Sequence, residues 1–71
     1  MVCSDARLAA LDRQMWRAYD AALAAGVPEA DLGAEQADWL EIREDAARYS
    51  RNAVTRIYRQ RIDELRMMQE R

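Results

Sequence analysis

The sequence predicts an all-α fold, either a helical hairpin or a small three-helix bundle. The 71 residues include only two Gly and one Pro, fewer than the turns of a sheet protein usually require. Residue types that favour helix, such as Ala, Arg, Glu, Leu and Met, make up much of the chain. Apolar residues also recur at intervals of three and four, the spacing of one helix face. A chain of this length supports a single domain with a thin core.

The first helix is predicted to span residues 5 to 25 approximately. Leu8 and Leu11, which we assign to the core, begin an apolar stripe that continues along this segment. Gly26 then predicts the end of the helix, because glycine readily adopts the left-handed conformation that follows a helix C-terminus. The segment 26–33 is therefore predicted to be a loop.

Residues of about 34–70 are predicted to be helical, since they contain neither Gly nor Pro and keep a helical period. The core positions that we assign to this segment are Trp39, Leu40, Ile57 and Leu65. An unbroken helix of this length would extend roughly 55 Å and would offer a surface for a homodimer. We favour a break or bend near 49–52, because Ser50 or Asn52 could cap a third helix.

Each predicted apolar stripe contains a charged or polar residue. Asp12 lies among the apolar positions of the first helix, and Arg43 and Arg61 lie among those of the C-terminal segment. A lone buried charge is costly, whereas a paired and hydrogen-bonded charge is tolerated. We therefore predict a buried polar network with a structural role, whose members are Asp12, Tyr19, Gln36, Arg43, Tyr58 and Arg61. The alternative is a ligand-binding cleft lined by Asp12, Arg43 and Arg61.

Three motifs follow one another along the chain: "CSDARLAALD" (3–12) with Tyr19 after it, "QADWLEIR" (36–43) and "YRQRIDEL" (58–65). In this order and spacing the chain resembles the LprI-type lysozyme-inhibitor N-terminal domain family over nearly its whole length. The resemblance implies a small helical domain of a bacterial cell-envelope or exported protein, with lysozyme as a protein partner. We expect no signal peptide, because no basic segment followed by an apolar one begins the chain.

The chain departs from the pattern of this family in its cysteines. Ala46 and Ala53 stand where the family usually has Cys, and the single cysteine, Cys3, has no partner for an internal disulfide. This departure argues against the disulfide framework and, with it, against export. With one Cys and no His, the chain lacks the usual ligands of zinc. We expect no metal, no cofactor and no enzymatic activity, and no stretch of about 18 apolar residues predicts a membrane span.

The two halves of the chain differ in charge. Residues 1–38 carry three Arg and seven acidic residues, whereas 39–71 carry eight Arg and six acidic residues. The acidic half suits a cationic protein such as lysozyme, with Glu29 and Asp31 as candidate contacts. The alternative function is a self-associating structural or adaptor module. A weaker alternative is nucleic-acid binding through Arg48–Arg61, against which the net charge of -2 argues.

Overall fold

The computed structural model describes residues 6–70 and confirms the all-α prediction as a three-helix bundle. The helices are α1 (Ala6–Ala24), α2 (Glu29–Ala47) and α3 (Arg51–Gln69). Cys3 and Asp5, the first residue of the predicted first helix, lie outside the described residues. Within the described part of the chain, no helix combines the length and the apolar character that crossing a membrane requires.

The connection between α1 and α2 is shorter than predicted. Gly26 has a φ of +106°, and the Val27 N–H donates to the Ala22 carbonyl at 3.1 Å, which is the Schellman ending of a helix. The predicted loop 26–33 is wrong for residues 29–33, because these belong to α2, which begins at Glu29. Two carboxylates in the first turn of α2 stabilise this early start by their position at the positive end of the helix dipole.

The C-terminal helical segment is broken rather than continuous. α2 ends at Ala47 and α3 begins at Arg51, so the alternative of one helix over 34–70 is wrong. Ser50 has an extended backbone, and its Oγ accepts a hydrogen bond from the Ala53 N–H at 3.1 Å. This side chain satisfies one of the backbone donors that a helix N-terminus leaves unpaired. The break therefore lies at the predicted position.

The central helix of the bundle is α3. Both α1 and α2 pack on α3 more closely than they pack on each other. The residues of the core are Leu11, Met15, Ala18, Ala22, Leu32, Trp39, Ala46, Val54, Tyr58, Ile62 and Leu65. Of the core positions assigned from the sequence, Leu11, Trp39 and Leu65 are buried. The other three, Leu8, Leu40 and Ile57, are partly buried against this core.

Candidate functional site

One polar junction joins all three helices at Tyr58 of α3. The Tyr58 hydroxyl donates to Asp12 Oδ1 of α1 at 2.9 Å, and Arg43 Nη1 of α2 donates to the Tyr58 oxygen at 3.3 Å. The same guanidinium nitrogen lies 3.9 Å from Asp12 Oδ1. We call these three residues the Tyr58 junction. Burial raises the pKa of Tyr58 above its ordinary value; the hydrogen bond from Arg43 opposes this rise, and Asp12 adds to it.

Replacing Tyr58 by Phe is expected to lower the free energy of unfolding by about 1–2 kcal/mol at neutral pH, since two hydrogen bonds of the Tyr58 junction are lost. A raised pKa means that folding favours the neutral phenol. The contribution of the neutral phenol to the free energy of unfolding is therefore complete below the ordinary pKa of 10.0. It is lost as the pH rises through the higher pKa of Tyr58 in the folded chain. Urea unfolding at neutral and strongly alkaline pH measures both effects.

The matched control for this substitution is Tyr49→Phe, because Tyr49 is 83% exposed. The control is expected to unfold like the wild-type chain at both pH values. If Tyr58→Phe lost as much stability at alkaline pH as the wild type, the titration of Tyr58 would not contribute to the pH dependence.

A second polar junction lies at Gln36 of α2 and is more deeply buried. Gln36 Nε2 donates to Met15 Sδ of α1 at 3.1 Å, and Arg61 Nε of α3 donates to Gln36 Oε1 at 3.0 Å. Gln36 and Arg61 are 4% and 3% exposed. We call Met15, Gln36 and Arg61 the Gln36 junction. The amide serves as donor on one side and acceptor on the other, so it links α1 and α3 through α2.

The charge of Arg61 is balanced at the surface of the bundle. Its Nη1 lies 3.1 Å from Glu64 Oε1 and 3.4 Å from Glu35 Oε1, and both carboxylates are about half exposed. Arg61 Nη2 and Trp39 Nε1 are buried donors that make no hydrogen bond with the described residues. Arg61 is thus a buried cation whose carboxylate partners remain in contact with solvent.

The Trp39 ring packs against two members of the Tyr58 junction. Trp39 and Tyr58 pack edge to face with ring centroids 5.2 Å apart, and the Arg43 guanidinium lies 6.0 Å from the centre of the Trp39 ring. Both geometries are favourable for aromatic rings. One stripe of α2 contains Gln36, Trp39 and Arg43. The stripe is therefore buried at Trp39, and its two polar residues contact α1 and α3.

The predicted polar network is divided between these two junctions. Asp12, Arg43 and Tyr58 form one, and Gln36 and Arg61 belong to the other. The prediction that the whole network is buried is wrong for Asp12 and Arg43, whose side chains are 39% and 33% exposed. Tyr19 belongs to neither junction. It packs edge to face on Trp16, with ring centroids 5.2 Å apart.

Two depressions that share Glu35 form one acidic surface along α2 and α3. Its first part, of about 250 Å³, lies between Trp39 and Ile42 of α2 and Ile57 of α3. Its second part, of about 380 Å³, continues from Glu35 to the connection between α1 and α2 and to Met68. The carboxylates that line the two parts are Asp31, Glu35, Asp38 and Glu64. We call this surface the α2/α3 groove.

The candidate partner contacts Glu29 and Asp31 are both exposed in the first turn of α2. Asp31 lines the α2/α3 groove. Both carboxylates also have a structural role, because they lie at the N-terminus of a helix. The Arg48–Arg61 stretch does not form one exposed surface, because Tyr58 and Arg61 are buried. Among the described residues, no group of three or more Cys, Asp or Glu could hold a metal ion.

Several residues of the site were missed from the sequence. Glu64 lies three positions after Arg61, a spacing that brings two side chains together on a helix surface, so this ion pair was open to prediction. Met15 lies on the buried apolar face of α1, and nothing in the apolar pattern identifies its sulfur as a hydrogen-bond acceptor. Asp38 and Ile42 line the groove because of the way α2 is rotated against α3. The helical period of the sequence alone does not specify this rotation.

Comparison with known proteins adds no relative. No family model, no curated protein and no solved structure matches the chain.

Proposed function

We propose that the chain is a non-enzymatic protein-binding domain whose partner is a cationic protein. The observation that carries this proposal is the charge of α2, which contains seven carboxylates and one Arg. All seven carboxylates belong to exposed residues, whereas Arg43 is turned toward Tyr58 and Trp39. A surface of one sign attracts partners of the opposite sign and speeds their encounter.

Lysozyme is the first partner to test, because the chain resembles the LprI-type lysozyme inhibitors and lysozyme is cationic. The experiment is lysis of bacterial cell walls by a panel of lysozymes with the chain added in molar excess. We expect suppression of at least one lysozyme, weakened by added salt. If every lysozyme of the panel lysed the cell walls at its full rate, lysozyme would be excluded as the partner. The resemblance would then be one of fold.

The wider proposal of a cationic partner has its own test. The chain is immobilised and exposed to a cationic protein and to an acidic protein of similar size, at low and at moderate salt. Binding of the cationic protein alone supports the proposal, and equal binding of both or of neither contradicts it. A variant in which Glu29, Asp31 and Asp38 are replaced by their amides is expected to bind more weakly. Its control is the amide variant of Asp20, Asp63 and Glu70, which lie outside α2.

Self-association is a second candidate function. It is favoured by the opposite charges of α2 and α3, since α3 carries five Arg and two carboxylates, and by Met67, which is 66% exposed. The molar mass in solution, measured over a range of chain concentrations, tests this candidate. A mass that rises toward that of a dimer supports it, and a constant monomer mass removes it.

A further inference from the structure

Resting on the function proposed above, we infer that the α2/α3 groove binds a basic amphipathic helix of the partner protein. The first argument is the apolar floor of the groove. Ile42 is 50% exposed, and Ile57 and Met68 are only partly buried. These side chains lie along a seam between two helices, which is the kind of surface that accepts the apolar face of a third helix.

The second argument is the spacing of the groove residues. On α2 the groove is lined at Asp31, Glu35, Asp38 and Ile42, and on α3 at Ile57, Arg61, Glu64 and Met68. Intervals of three and four along both helices keep the groove on one face of each. From Asp31 to Ile42 the groove extends roughly 16 Å, which is about three turns of a bound helix.

The third argument is the charge of the walls. Four carboxylates line the groove, and the single cation that lines it, Arg61, is buried and already paired with Glu35 and Glu64. A helix with Lys or Arg beside its apolar face would place these cations near the carboxylates. An acidic or neutral helix would instead leave the carboxylates unpaired, and like charges across an interface disfavour binding.

The experiment measures binding of a labelled peptide by fluorescence anisotropy. The peptide is long enough for about four helical turns, with Leu at the spacing of one helix face and Lys on both sides of that face. A second peptide has the same composition in an order that destroys the apolar face, and a third has Glu in place of Lys. We expect binding of the first peptide only.

Two charge-reversal variants locate the binding surface. Asp38→Arg changes a wall of the groove, whereas Glu44→Arg makes the same change on the same helix outside the groove. We expect Asp38→Arg to weaken binding of the amphipathic peptide by at least ~10-fold, because it places a like charge against the bound Lys. Glu44→Arg is expected to weaken it by less than ~3-fold, through long-range attraction alone. Thermal unfolding of both variants verifies that each remains folded.

Several results would overturn the inference. Equal binding of the reordered peptide would show attraction by charge without a fitted groove. If both variants weakened peptide binding equally, the peptide would bind outside the groove. If the chain formed a concentration-dependent dimer that excluded the peptide, the occupant of the groove would be a second copy of the chain. The proposed function fails separately. If the chain inhibited a lysozyme and Asp38→Arg did not change that inhibition, the proposed function would stand and the groove would not be the binding site. If the peptide bound but no cationic protein did, the groove would stand and the proposed function would fail.

Discussion

Gln36→Leu is expected to lower the free energy of unfolding by about 3 kcal/mol, because it leaves the buried Nε of a charged guanidinium without its acceptor. Gln36 accepts a hydrogen bond from Arg61 Nε at 3.0 Å, and Arg61 is 3% exposed. Arg61 Nη2 already makes no hydrogen bond with the described residues. For a chain of this size the loss corresponds to roughly 12–24 °C in Tm.

Arg61→Met is expected to cost less, about 2 kcal/mol, because the group left unpaired is then the neutral Gln36 oxygen rather than a charge. The double substitution Gln36→Leu/Arg61→Met removes both polar partners from the interior. It is expected to be more stable than Gln36→Leu alone, since replacing a whole buried polar pair by apolar residues is often neutral or stabilising.

Chemical denaturation of the wild type, both single variants and the double variant at one pH completes the cycle. The control is Gln14→Leu, which makes the same change at an exposed position of α1 and is expected to alter stability by less than about 0.5 kcal/mol. Additive losses in the double variant would mean that Gln36 and Arg61 are not energetically coupled.

Leu65→Ala is expected to lower the free energy of unfolding by about 3 kcal/mol, through lost burial and the cavity that remains. Leu65 is fully buried on α3, the helix on which the other two pack. Its matched control is Met67→Ala, two residues further along the same helix and 66% exposed, for which we expect a change near zero. Urea denaturation of both variants provides the comparison. Equal losses at the two positions would contradict the rotation of α3 in the bundle.

The sequence predicted the fold class well because local signals agree with it. Gly26 and Ser50 each occur at a helix terminus, and their backbone and side-chain properties act within a few residues. The predicted start of α2 was wrong because the predicted loop extends to Gly33. In the structure Gly33 is an ordinary helical residue near the Tyr19 hydroxyl, which would lie 3.8 Å from an added Cβ.

The polar residues inside the stripes were also found from the sequence, because a charge at a core position is conspicuous on a helical wheel. Their partners were harder to assign. Asp12 meets Arg43 and Tyr58, and Arg61 meets Gln36, only because the three helices have a particular rotation and offset. These quantities arise from packing of side chains from different helices, and no interval within a single helix specifies them.

The order of the helices along the chain has a consequence for synthesis. The helix on which α1 and α2 both pack is α3, the last of the three to be made. Each polar junction also needs a residue from α3. On the ribosome, α1 and α2 therefore remain without their main packing surface until α3 has emerged, and most of the stability of a helix in a protein comes from the packing of its apolar face. We expect the nascent chain to fold in one late, cooperative step, with no stable α1–α2 intermediate.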